Sequence, residues 1–98
     1  MSVEADRRSL EQLIVEMLTH RDLESTMCPS DVARAASADE WRILMPAVRI
    51  AACRLAAEQI ISITQGGRVI GPETTWRGPV RLGRGSRWSE RALFEARV

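Results

Sequence analysis

The most constraining feature of this chain is a long apolar stripe. From Trp41, the residues Met45, Val48, Ala52, Leu55 and Gln59 recur at alternating steps of four and three. That spacing puts them on one face of a helix. Leu44, Ala51 and Ala56 widen the face. Pro46 lies inside the pattern and cannot donate to the carbonyl of Arg42, so a kink is expected there. The stripe keeps its phase across Pro46, which predicts one kinked helix and not two. A chain of 98 residues makes one domain, and this helix is its expected spine.

Shorter elements flank it. Leu10, Leu13, Ile14, Met17 and Leu18 recur at helical spacing, with Glu11, Gln12, Glu16 and Thr19 on the outer side. Ser9 and Gln12 form an S-x-x-Q capping box, which predicts a helix from about Leu10 to Arg21. Pro29 suits a first helical position, where its missing N–H costs nothing. Cys28 is then the cap and Asp31 stands in the first turn, where the helix dipole favours an acid. This predicts a short helix over Pro29 to Ala36, with Val32 and Ala36 inward and Met27 in a one-bridge strand before it. Ser37 and Glu40 give a second capping box ahead of the long helix. After it, Ile60 to Gln65 is β-branched, Gly66-Gly67 is a two-residue hairpin signal, and Arg68 to Ile70 returns. Pro79 to Leu82 is a further strand candidate, Gly83 to Ser86 a break, and Trp88 to Arg97 a candidate terminal helix.

The expected order is helix, bridge strand, helix, long helix, hairpin: a winged helix-turn-helix, mainly α with a small antiparallel β hairpin. Its divisions are a flexible N-terminus over 1–8, the winged-helix domain over 9–83 and a C-terminal extension over 84–98.

Several linked segments carry a resemblance. They are Thr26 to Arg34, Trp41 to Arg49, Arg54-Leu55-Ala56, Ile61 to Gly67 and Arg77 to Leu82. Together they resemble a bacterial family catalogued as a small domain of unknown function and regarded as winged-helix-like. The likeness covers about Leu10 to Leu82. It implies a winged-helix fold and brings no catalytic residue and no established ligand. Some relatives carry an additional cysteine-rich, zinc-type segment. This chain has none, so any role of that segment does not transfer.

All 14 basic residues are arginine, and their placement is uneven. Residues 1–61 hold seven Arg against ten Asp and Glu, whereas residues 62–98 hold seven Arg against three Glu. A basic rear part suggests a contact surface, although the formal net charge is only +1. Arg68, Arg77, Arg81, Arg84 and Arg87 cluster there with Trp76 and Trp88, and arginine grips phosphate while indole stacks on bases. Arg42 and Arg49 share one flank of the long helix. The nucleic-acid candidates are therefore Arg42, Arg49, Arg68, Arg77 and Arg81. Against this, solvated arginines are the plainer reading, and Arg54 is placed to pair with Glu58 at i,i+4.

The outer face of the long helix argues for another partner. It carries Ile43, Pro46, Ala47, Ile50, Cys53, Arg54 and Ala57, which is too apolar for a bare helix. Either the C-terminal segment with Trp88, Leu93 and Phe94 covers it, or another protein chain does, through Ile43, Ala47, Ile50 and Ala57.

The remaining chemistry is thin. Cys28 at a helix N-terminus invites a lowered thiol pKa, but no base or resolving thiol is assured. Cys28 and Cys53 are too few for a disulfide framework or a four-ligand zinc site. His20 alone cannot build a catalytic zinc set. No strand-turn-helix elbow displays a serine, and no glycine loop cradles phosphate. No apolar run approaches about 18 residues, and no apolar leader follows Met1. The sequence therefore reads as a cytoplasmic, non-enzymatic binding module without cofactor, metal or membrane. Two readings stand: a nucleic-acid binder that grips backbone with little sequence readout, or a protein-interaction or dimerisation module.

Overall fold

The computed structural model describes residues 3–91, with side chains from position 10 onward. Three helices come first: α1 (Val3–Thr19), α2 (Pro29–Ala36) and α3 (Trp41–Ala57). Three strands follow, β1 (Ile61–Gln65), β2 (Arg68–Ile70) and β3 (Arg81–Arg84), then a 3₁₀ turn at Trp88–Glu90. The sheet is antiparallel with order β2-β1-β3, and Met27 adds an isolated bridge to Leu82. The three helices and this sheet are compatible with the winged helix-turn-helix that the residue pattern predicts.

Register explains how sheet and helices share one core. Ile63 stands opposite both Ile70 and Leu82, and Leu82 stands opposite Met27. Opposed residues on antiparallel strands lie on the same face. Ile63, Leu82 and Met27 thus form one fully buried row, packed into a cluster with Ile14, Leu18, Val32, Val48, Ala52 and Leu55. At the hairpin tip both Gly66 and Gly67 take positive φ, as a type I′ turn requires.

α3 runs unbroken through Pro46. Pro46 is exposed, so the carbonyl left without its helical partner stands on the solvent side, where water can satisfy it. The helix ends in a Schellman pattern: Ile60 N–H donates to Leu55 O at 3.0 Å and Gln59 N–H to Ala56 O at 2.9 Å. Gln59 takes the left-handed position, φ 63°, that glycine usually fills.

Some expectations fail for identifiable reasons. α1 begins at Val3, so Ser9 lies inside it and is no cap; the apolar stripe starts later than the helix does. Glu11 is buried rather than outward, and Val15 is buried beside it. In α2 the inward pair is Val32 and Ala33, while Ala36 is exposed. Asp31 does accept from Cys28 N–H at 3.1 Å, which fixes that helix start as expected. Ser37 Oγ accepts from Glu40 N–H at 3.1 Å in the turn before α3. Gly83 and Arg84, read as a break, belong to β3; a buried strand with a close neighbour tolerates a glycine. Of the proposed terminal helix only its start is seen, as a 3₁₀ turn, and residues 92–98 with Leu93 and Phe94 lie outside the described residues. No helix among the described residues is long and apolar enough to cross a membrane.

Just beyond β3 the chain passes close against the end of α3. Gly85 N–H donates to Ile60 O at 2.9 Å, and Arg87 N–H to Gln59 O at 2.8 Å. A Cβ on Gly85 would strike Gln59 O and come within 2.7 Å of Ile61 O. Gly85→Ala should therefore lower unfolding free energy by about 1–3 kcal/mol, measured by urea titration. A change under about 0.5 kcal/mol would mean that the two backbones can separate freely.

Candidate functional site

The arginines divide into two groups by what holds them. The first group is built into the fold. Arg81 donates from Nε to Thr26 Oγ1 at 2.9 Å, from Nη1 to Cys28 Sγ at 2.9 Å and from Nη2 to Thr26 O at 2.8 Å. Arg84 Nη2 donates to Leu18 O at 3.0 Å and Arg21 O at 2.8 Å, closing the C-terminal end of α1 with a cation where the helix dipole favours one. Arg54 Nε donates to Glu11 Oε1 at 2.9 Å, so its carboxylate partner is Glu11 on α1. Arg87 forms a surface pair with Glu90 at 3.1 Å.

The second group is held by indole rings or by nothing. Arg34 and Arg42 lie over the ring of Trp41, at 4.4 and 4.6 Å from its centroid. Arg49 lies over Trp76 at 5.1 Å. Arg68 and Arg77 are exposed on the wing. None of these five makes an ion pair among the described residues. An arginine stacked on a ring is positioned by cation–π attraction, yet its N–H donors stay available, unlike those of an arginine forked onto a carboxylate.

The structure therefore brings Arg42 and Arg49 onto one exposed flank of α3 and puts Arg68 and Arg77 on the wing, while Arg81, also exposed, spends three of its donors on Thr26 and Cys28. Residue spacing alone missed Arg34. The sign was there, because Arg34 stands in the last turn of α2 and Trp41 opens α3 across a turn of four residues, 37–40.

The isoleucines on the outer face of α3 are bare. Ile43 is 75% exposed and Ile50 47%; Ala57 is exposed, and Ala47 is half-buried against the core. Trp88 packs in the core instead, so it does not shield Ile43 or Ile50. Between α3 and the loop after β2 lies an open groove of about 530 Å³, lined by Arg49, Ile50, Cys53 and Ala57 on one side and by Pro72 to Trp76 on the other.

The profile of the family described as protein of unknown function, DUF3253, matches residues 7–85. The chain belongs to that family. No curated protein matches it. In this DUF3253 chain the matched stretch contains Trp41 and Trp76 with Arg34, Arg42, Arg49, Arg68 and Arg77, whereas Trp88, with Arg91 over its ring, lies beyond it.

Burial pushes the Cys53 thiol above its ordinary pKa, a rise that the nearby Arg49 charge opposes and Glu73 reinforces; Cys53 stays a protonated thiol at neutral pH. Among the described residues no three of His, Cys, Asp and Glu gather as metal donors.

Glu11 is 3% exposed, and removing Arg54 would strand its charge. Arg54→Ala should destabilise the fold by about 1–3 kcal/mol, less than for a fully buried pair because the Arg54 side chain is half exposed. Adding Glu11→Gln to that variant should restore part of the loss in urea unfolding. No recovery would mean that the carboxylate charge is not what suffers.

Proposed function

We propose that this chain is a non-enzymatic binding module for nucleic acid, acting through Arg42 and Arg49 on α3 and Arg68 and Arg77 on the wing. The observation that carries this reading is the unpaired state of these guanidinium groups. Each is exposed or ring-stacked and without a carboxylate among the described residues. In winged-helix proteins the third helix and the wing are the parts presented to nucleic acid. Arginines without acid partners gain most from phosphate, because binding releases the counterions condensed on the backbone. Readout of sequence is weak, since contacts to phosphate position a protein without reading bases. Arg81 is left out of this set, because its donors are satisfied by Thr26 and Cys28.

A second reading rests on Ile43 and Ile50. Two exposed isoleucines on one helix face suit a protein partner or a second copy of the chain, with Ala47 and Ala57 beside them.

Mobility shift with mixed DNA and RNA, at about 50 and 200 mM salt, separates the two. The first reading expects retention that falls steeply with salt. Arg42→Glu with Arg49→Glu should then weaken binding at least about tenfold on every sequence and flatten the salt slope by about two contacts' worth. No retention at the lower salt contradicts nucleic-acid binding. A concentration-dependent dimer in sedimentation, dissolved by Ile50→Glu, would put the second reading in its place.

A further inference from the structure

The groove beside Arg49 has a chemistry that backbone gripping does not need. Ile50, Ala57 and Pro72 supply apolar walls, Trp76 an aromatic one, and Arg49 a cation. Two observations bear on its occupant. Trp76 lines the groove with a half-buried ring, and the part of an indole left open is a surface on which a flat group can stack. Arg49 is held against the same ring and makes no ion pair among the described residues, so a guanidinium with open N–H donors stands next to the aromatic surface. Glu73 also lines the groove and can accept from an amino group.

The fitting occupant is flat, has apolar faces, carries acceptor and donor groups on its edge and is linked to an anion. A nucleobase with its phosphate has all of these. In a duplex those faces are covered by stacking and those edges by pairing, so only an unpaired base can enter. The outer face of α3 points the same way. Ile43, Pro46, Ala47, Ile50 and Ala57 offer no side-chain hydrogen bond to base edges in a major groove, whereas single-strand binders combine aromatic platforms with cations.

From this the geometry points to single-stranded nucleic acid as the ligand, with one unpaired nucleotide seated between α3 and the loop over residues 72–76. This inference rests on the nucleic-acid reading above and sharpens it.

Fluorescence anisotropy at about 50 mM salt tests it on the full chain with three probes: a labelled mixed-sequence single strand, the same strand in a duplex, and free nucleoside monophosphates as competitors. The single strand should bind at least about tenfold more tightly than the duplex. Ala57→Phe fills the groove from the exposed end of α3 and removes no arginine. It should weaken single-strand binding about tenfold while changing duplex binding less than about twofold. Trp76→Leu removes the aromatic wall and should cost about two- to fivefold on the single strand; it serves if Ala57→Phe melts early. Duplex binding as tight as single-strand binding, or indifference of the single strand to both substitutions, overturns the inference and leaves nucleic-acid binding intact. Monophosphate competing as well as the strand overturns a strand as the source of the base. Retention of neither oligonucleotide overturns the functional reading itself.

Discussion

Two side chains of β3 hold the sheet to the helices, and the rest of the molecule follows from that attachment. Arg84 reaches the carbonyl of Leu18 at the end of α1 and that of Arg21 just after it. Arg81 reaches Thr26 and Cys28, the residues on either side of the Met27 bridge. Between them, Leu82 points into the core and pairs with both Ile63 and Met27. One short strand therefore ties together the end of α1, the start of α2 and the central strand of the sheet. A core this small has little apolar area to spare, so directed bonds to the carbonyls at a helix end and beside the bridge count for more than they would in a larger domain.

The same attachment decides which arginines are left for a ligand. A basic run along the rear of a chain looks uniform on paper. In three dimensions Arg81 and Arg84 face the helices, Arg87 has Glu90, and only Arg68 and Arg77 remain open on the wing. The helix contributes Arg42 and Arg49, and α2 contributes Arg34, all positioned by indole rings. This also explains the use of tryptophan: Trp41 and Trp76 are half-buried hydrophobes whose exposed surface positions cations.

Much of this was legible in the residue pattern. The α3 stripe gave Val48, Ala51, Ala52 and Leu55 as buried, and the paired glycines gave the hairpin. Pro29 and Asp31 gave the start of α2. What stayed hidden depended on partners distant in the chain. Glu11 reads as a surface acid until Arg54, 43 positions away, is brought to it; its place on the same face as Val15 and Leu18 was the available sign. Arg84 sits between two glycines and reads as part of a loop, because a helix end to be capped lies 66 positions earlier. The start of α1 was misplaced because the helix extends N-terminal to its apolar stripe, where periodicity has nothing to report.

The division of the arginines into fold-holding and ligand-ready groups is open to one direct measurement. Single Arg→Gln variants at positions 42, 49, 81 and 84 are unfolded in urea and compared with the parent chain. Arg81→Gln and Arg84→Gln should each lower unfolding free energy by about 1–3 kcal/mol, while Arg42→Gln and Arg49→Gln should stay within about 0.5–1 kcal/mol. Equal losses at all four positions, or losses confined to 42 and 49, would contradict it.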